Sequence, residues 1–484
     1  MELITDPGVL EGYLTDASNT RGRADGLFRP RNAEEVAEVL ARATAEGVPV
    51  TVTAQRTSTT GGPVPDGGWL LSTERLNRIL SLDEAEAGVI LGAFQTEVER
   101  AGRFFPPDPT SRAECTLGAA LACNASGART FRYGPARPWV EEVELVTPTG
   151  EILRATRQTP IPAGWPVPRW PLPQVKTAAG YEPADNLLDL AIGQEGTLGV
   201  LTRARVRLTD LPRGVLSLIA FFPDTPSLLA MVTRARDGAQ RPGRPATPGS
   251  LNPRAIEYFD RHSLDLVRAR VPDLPDAAHG ALFLEIEHDG EAPIEAWYEA
   301  LLDGGALIDA TIVAEDAAGR ARLSAVRHAV PAGVNEQIVR NGMPKVGTDF
   351  AVPDAALPQM MAAYEAVTLP HILFGHIGDN HLHCNLLPRD AAELQAARAL
   401  YRALALQAVA LGGTVSAEHG IGKLKRGLLA EMVGPDTLAA FVALKRAVDP
   451  SWILGRGTML DVPETCKMDA PRPLSVRVTE EAPR

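Results

Sequence analysis

Four of the nine histidines in this 484-residue chain lie in two short stretches near its C-terminal end. The first is Gly375-His376-Ile377-Gly378-Asp379-Asn380-His381-Leu382-His383. The second, about one helix later, is Ser416-Ala417-Glu418-His419-Gly420-Ile421-Gly422. Neutral imidazole and carboxylate are the donors that suit Zn, Mn or Fe, and a further histidine beside the glutamate is typed as a base within reach of the same metal. These residues predict a metal-assisted active site. Hydrogen-bonded structural histidines around a turn are the alternative.

Positioning them requires particular elements. Residues 371–376 and 381–388 read as two apolar strands joined by a Gly-Asp-Asn turn, a hairpin. A period of two puts His381, His383 and Asn385 on one face and Leu382, Cys384 and Leu386 on the other, with His376 close to His381 or His383. Residues 390–411 form the clearest helical segment, ending at Gly412-Gly413. Further upstream, Val36, Val39, Leu40 and Ala43 mark a helix over 32–46, followed by a buried strand over 48–53. That strand runs into Ala54-Gln55-Arg56-Thr57-Ser58-Thr59-Thr60-Gly61-Gly62, whose hydroxyls and paired glycines make a candidate diphosphate cradle, or an ordinary surface turn. Small residues dominate 115–127, so backbone there can approach a flat ligand, or else pack tightly as a helix start. A strand over 140–146, an irregular proline-rich loop over 158–173 that could act as a cover, and Gly193-Gln194-Glu195-Gly196-Thr197-Leu198-Gly199-Val200 with a strand to 208 follow. Residues 236–253 read as a linker or long loop, and 471–484 as a frayed tail.

Length favours two or three domains, and 45% hydrophobic with 22% charged residues is a globular composition. A formal net charge of −12 with dispersed basic residues argues against a nucleic-acid partner. No apolar run reaches the roughly 18 residues of a membrane span, and the start lacks the pattern of a signal peptide. The expected location is therefore cytoplasmic, with peripheral attachment to the inner face of a membrane as an option. Cys115, Cys123, Cys384 and Cys466 are far apart, which excludes an obvious iron–sulfur or thiolate-zinc site within the chain. Dinucleotide-binding Gly-x-Gly-x-x-Gly after a strand, the P-loop, Gly-x-Ser-x-Gly and His-Glu-x-x-His are all missing.

In this order, the segments resemble the FAD-dependent D-2-hydroxy acid dehydrogenases, which include D-lactate dehydrogenases and the flavin subunit of glycolate oxidase. The resemblance runs from about Leu27 to Leu460. It is carried by the stretch from Ile192 to Gly199, by residues 375–379, and by residues 416–422. It implies an α+β fold: a two-lobed FAD-binding domain of the vanillyl-alcohol oxidase type (27–210) after a short N-terminal segment (1–26), a C-terminal α+β substrate and metal domain (211–460), and a tail (461–484). By the same resemblance FAD would be held noncovalently by Ala54, Gln55, Arg56, Thr57, Ser58, Thr60, Gly61, Asp108, Thr116, Gly118, Asn124, Ser126, Gly127, Tyr133, Glu195, Gly196 and Val200. His376, His383 and Glu418 match the metal ligands, for Zn with Mn or Fe as alternatives. His419 matches the proton acceptor, and Arg327 and Lys345 the carboxylate-binding positions. Two departures stand out. Thr53, Ala54 and Arg56 replace an Arg and two glycines of the relatives' diphosphate loop, so Arg56 either crowds the loop or contacts phosphate. Asn380-His381 replaces a Gly-Asn pair, which would add a nitrogen near the metal.

The implied reaction removes the hydroxyl proton of a small 2-hydroxy acid and moves its Cα hydride to flavin N5. Electrons would then pass to a quinone, a cytochrome, an electron-transfer flavoprotein or a separate iron–sulfur subunit. A homodimer is allowed. A flavin-fold subunit of a multi-subunit glycolate oxidase that needs its partner, and a flavin-free metal-dependent hydrolase, are the other readings.

Overall fold

The computed structural model describes residues 1–268 and 274–466, so most of the expected tail lies outside the described residues. Strands β1 (Gly26–Phe28), β2 (Val50–Thr53) and β3 (Trp69–Ser72) form a parallel sheet in the order β1-β3-β2. Between β1 and β2 runs the helix Ala33–Glu46, capped by the Asn32 side chain, which accepts the Glu35 N–H at 2.8 Å. Its Val36, Val39, Leu40 and Ala43 fall on one face and are buried against that sheet. Four further strands, β4 (Glu84–Glu86), β6 (Val140–Val146), β7 (Ile152–Thr156) and β8 (Val200–Val206), make an antiparallel sheet ordered β4-β8-β6-β7. A two-residue pair, β5 (Arg103–Phe104) with β9 (Thr209–Asp210), flanks it.

The remaining strands build one larger antiparallel sheet. These are β10 (Gly214–Phe222), β11 (Pro253–Asp260), β12 (Gly280–His288), β13 (Ile312–Ala314), β14 (Val346–Gly347), β15 (Phe350–Ala351), β16 (His371–His376) and β17 (His381–Leu386). The order is β13-β10-β12-β11-β16-β17-β14, with β15 also pairing to β17. Alternation splits β10 between two cores: Leu218, Ala220 and Phe222 face one, Ile219 and Phe221 the other. The helix Ala317–Asn341 covers the second face through Leu323, Val330 and Val334. Phe131, Tyr181, Leu190 and Leu198 of the N-terminal half join the first core, so the halves share apolar packing. The proline-rich stretch 158–173 is irregular, and its Trp170 packs edge-on against Phe441, 5.7 Å between ring centroids.

One helix departs from the sequence reading. At 23 residues Arg426–Val448 is long and apolar enough to cross a membrane. Gly434, with φ 77° and ψ 169°, breaks it in two, and Leu429, Phe441, Leu444 and an ion-paired Lys445 are buried in the protein. A buried ammonium with its Asp449 partner belongs to a polar contact inside a core rather than to a lipid face.

Candidate functional site

The β16–β17 hairpin forms in the expected place. Its register pairs His376 with His381 and Phe374 with His383, and the connection is a 3₁₀ turn, Ile377–Asp379, closed by Asn380 at φ 55°. Glu418 comes from the loop that follows the pairing of Thr414 with Ala351. His376, His381, His383 and Glu418 each offer one donor atom, and these atoms lie within 4.8 Å of one another. Glu418 Oε2 is 3.5 Å from His376 Nε2 and 3.8 Å from His381 Nδ1, while Oε1 is 3.4 Å from His383 Nε2. Behind the cluster, His376 Nδ1 meets Glu257 Oε1 at 2.5 Å and His383 Nδ1 meets the Thr348 carbonyl at 3.1 Å. This is how ligating imidazoles are held elsewhere, one nitrogen on the metal and the other on an oxygen. Asp379 Oδ2 and both ring nitrogens of His381 are buried without a hydrogen-bond partner. The cluster's donors and these unsatisfied atoms fit a divalent cation.

Electrostatics agree. Burial would raise the Glu418 pKa, but Lys176, His376 and His381 outweigh it and hold the carboxyl well below its ordinary range. Burial works against a His376 cation, yet Glu257 and Glu418 lift its pKa to about 9. Positive charge is thus stabilised at His376 by its two carboxylate neighbours. His381 is pushed far down by burial, then by Lys176 and His383, and stays neutral. His419 stacks on His383 with ring centroids 5.4 Å apart. Desolvation in the recess, with His383 and Lys425 adding to it, lowers its pKa to about 4 against Asp349 and Glu418. It is an unprotonated imidazole at neutral pH.

The flavin-type segments converge on this cluster. Ser126 Oγ donates to Glu418 Oε2 at 3.2 Å, which brings the small-residue stretch directly onto the donor set. Glu195, at φ 52°, donates its N–H to the Ala122 carbonyl at 2.8 Å and accepts the N–H groups of Ile421 and Gly422 at 2.8 and 2.7 Å. Gly196 lies against Val52, and Val200 opens β8 beside Val146. In the 54–62 loop, the Thr60 carbonyl accepts from Lys423 N at 2.9 Å, and Ser58 and Thr60 hydroxyls stand 3.2 Å apart. Gln55 is exposed, and Ala54 and Thr57 are half-buried. A Cβ on Gly61 or Gly62 would meet nothing closer than 3.7 and 3.9 Å, and the Thr53 hydroxyl is buried without a partner, so the loop has the open backbone and free donor of an anion cradle. Arg56, at φ 58°, lies with its guanidinium over the Tyr13 ring, 4.8 Å from the centroid, and donates from that group to the Ala54 carbonyl at 2.8 Å. Asp16 occupies the Gly61 N–H, at 2.9 Å.

Other expected positions contact protein. Thr116 caps the helix Leu117–Ala122, and Gly118 packs on Ala87. Gly127 has no room for a side chain, since its Cβ would sit 2.1 Å from the Asp108 carbonyl oxygen. The Asn124 amide oxygen accepts Arg137 N at 2.9 Å, Asp108 pairs with Arg129 at 3.4 Å, and the Tyr133 hydroxyl donates to Glu287 at 2.5 Å. Arg327 donates from Nε to Glu257 at 3.0 Å, the carboxylate that also holds His376. Lys345 stands exposed just before β14, its Cε folded back beside Gly347.

Comparison with known proteins gives this arrangement its context. An FAD-binding domain matches residues 24–156, and the C-terminal domain of FAD linked oxidases matches residues 230–459. The chain is 30% identical to D-2-hydroxyglutarate dehydrogenase of Xanthomonas citri pv. viticola, over 95% of this chain and 94% of that protein. It is 30% identical to a probable mitochondrial D-lactate dehydrogenase of Danio rerio, over 94% and 88%. The chain belongs to the FAD-dependent D-2-hydroxy acid dehydrogenases. The glycolate oxidase subunit GlcD of Bacillus subtilis is 28% identical, over 92% and 91%. A solved structure of alkyldihydroxyacetonephosphate synthase, 15% identical, covers 94% of this chain and 82% of its own with a TM-score of 0.66 and shares its fold, and with the FAD-binding domain matched over residues 24–156 the fold is of the vanillyl-alcohol oxidase type.

Several residues at the centre of this FAD-dependent dehydrogenase carried no mark in the sequence reading. Asp349 is 1% exposed and accepts from Ser416 Oγ (2.8 Å), Lys425 Nζ (2.5 Å) and the backbone N–H groups of Glu418 and His419 (3.2 and 3.1 Å). Lys176 Nζ stands 3.4 Å from Glu418 Oε2 and 3.7 Å from Asp379 Oδ2. Glu257 had a signal: it is the one acid in the apolar run from Ala255 to Phe259, and a charge inside such a strand needs a partner.

Proposed function

We propose that the chain oxidises a D-2-hydroxy acid to the 2-oxo acid at the His376/His383/Glu418 cluster. Residues 27–210 would serve as the flavin part and 211–460 as the substrate and metal part, a division that follows the sheets. The observation that carries this reading is the 3.2 Å contact of Ser126 Oγ with Glu418 Oε2, which sets the flavin-type segment against the metal donors. When bound, FAD supplies the hydride acceptor and the cation a Lewis acid for the substrate oxygens. The chain's own groups do the rest. Asp349 Oδ2, 3.5 Å from His419 Nδ1, favours a proton on that nitrogen and leaves Nε2, which faces the cluster, to accept the hydroxyl proton. Glu257 fixes the Arg327 guanidinium through Nε, leaving its remaining N–H groups for a bidentate grip on the carboxylate. Lys345 adds positive charge from the β14 side. The electrons pass on to a quinone, cytochrome, flavoprotein or separate iron–sulfur subunit, since no cysteine cluster exists among the described residues.

An anaerobic absorption spectrum tests the reading, taken before and after D-lactate, glycolate and D-2-hydroxyglutarate. Flavin bands that bleach with one of them are expected, and His419→Ala should slow the bleaching by roughly 100-fold or more. Protein that neither retains nor takes up FAD would overturn the proposal. The Asp16 carboxylate on Gly61 favours one alternative, a flavin subunit that loads fully only with a partner. That alternative predicts substoichiometric flavin in the isolated chain.

A further inference from the structure

We propose that His381 is a fourth protein ligand of the cation, so that three imidazoles and one carboxylate leave a six-coordinate divalent metal two positions, one for each chelating oxygen of a 2-hydroxy acid. The part concerning substrate rests on the function proposed above; the ligand assignment stands on the chain itself.

Three observations carry it. His381 is 0% exposed, and although its Nε2 lies 2.9 Å from Asp349 Oδ1, its Nδ1 makes no hydrogen bond, a buried lone pair with no return for its desolvation unless a ligand takes it. Its position is central: the ring lies 4.4 Å from that of His383 and 5.4 Å from that of His376, and Nδ1 faces Glu418 Oε2. The third observation is a repeated pattern. His376 turns one nitrogen to the cluster and the other to Glu257, and His383 does the same with the Thr348 carbonyl. His381 follows suit, with Nδ1 inward and Nε2 2.9 Å from Asp349 Oδ1. All three imidazoles are thus backed by an oxygen, as metal ligands are.

The donor count selects the metal. Four protein donors already fill a tetrahedral Zn²⁺ shell, which would have to expand to take substrate, whereas Mn²⁺, Fe²⁺ or Co²⁺ readily reach six-coordination, so the donor count favours an octahedral cation.

The test uses full-length, FAD-loaded protein stripped with a chelator and titrated with Mn²⁺ and Co²⁺ without substrate. His381→Asn should weaken Mn²⁺ binding by about 100-fold or more, beyond most losses of a supporting hydrogen bond, which span roughly 10–100-fold. Flavin content and circular dichroism report whether the variant is folded. X-ray absorption on the Mn²⁺-loaded wild type needs no variant, and should count three imidazoles. Weak Co²⁺ d–d bands should mark six-coordination. Unchanged Mn²⁺ affinity in folded His381→Asn, two imidazoles, or intense four-coordinate Co²⁺ bands would each overturn the assignment. Bleaching of the wild-type flavin by a hydroxy acid is read separately, so failure of the functional reading would not be mistaken for failure of the ligand.

Discussion

Glu257 ties two parts of the chemistry to one carboxylate. It is 3% exposed and bonds both His376 and Arg327. Burial would raise its pKa, but His376 and Arg327 bring it down to about 2, so it is ionised wherever the enzyme is folded. Removing one member of a buried ion pair leaves the other uncompensated, at a cost of about 3–5 kcal/mol. We expect Glu257→Ala to lose stability of that order in urea and to weaken metal binding by roughly 10–100-fold, because His376 loses its support. A variant with wild-type unfolding and metal affinity would remove Glu257 from this role. The contrast with the histidines shows what a single sequence reveals. Histidine is rare, so His376, His383 and His419 announce themselves by spacing, whereas a lone glutamate on a strand does so only once its neighbours are known to be buried.

At the level of elements, the hairpin was the most legible feature, because period-two alternation and a Gly-Asp-Asn turn are local signals. The helices Ala33–Glu46 and Ala391–Ala410 were also readable, the first from apolar spacing and the second from the Gly412-Gly413 pair that ends it, and the structure adds Asn32 and Asp390 as their caps. Less legible was the backbone that lets the hairpin aim its histidines. Gly375 has φ 138°, a conformation that side chains strain, and a Cβ there would lie 3.0 Å from the His381 carbonyl and 3.1 Å from His383 Cδ2. Gly375→Ala should therefore displace His383 and lower metal stoichiometry while leaving FAD bound, since the flavin-type segments lie on other elements. Full metal occupancy in that variant would show that the hairpin absorbs the change without moving its ligands.

Across the whole molecule, three arginines far apart in sequence, Arg129, Arg132 and Arg254, meet acids where the halves join. Arg129 faces Asp108 at 3.4 Å and Glu285 at 3.8 Å, Arg132 faces Glu287 at 3.4 Å, and Arg254 bonds Glu285 and Glu287 at 2.8 and 3.1 Å. Asp108, Arg129 and Arg132 precede the large sheet in the chain, while Arg254, Glu285 and Glu287 lie on β11 and β12. No local pattern could pair residues some 150 positions apart, which is why this network escaped the sequence reading. Its pH dependence follows from Glu285. Burial raises its pKa, but Arg254, Arg129 and Arg327 prevail and lower it from 4.5 to about 2. A carboxylate depressed in the folded state binds fewer protons there than when unfolded, so its stabilisation is complete above the unfolded value and is lost as pH falls through the folded one. Glu285→Gln should accordingly lower the thermal midpoint at neutral pH, and the gap to wild type should narrow progressively between about pH 4.5 and about pH 2. A gap that stays constant over that range would mean the Glu285 carboxylate acts through shape rather than charge.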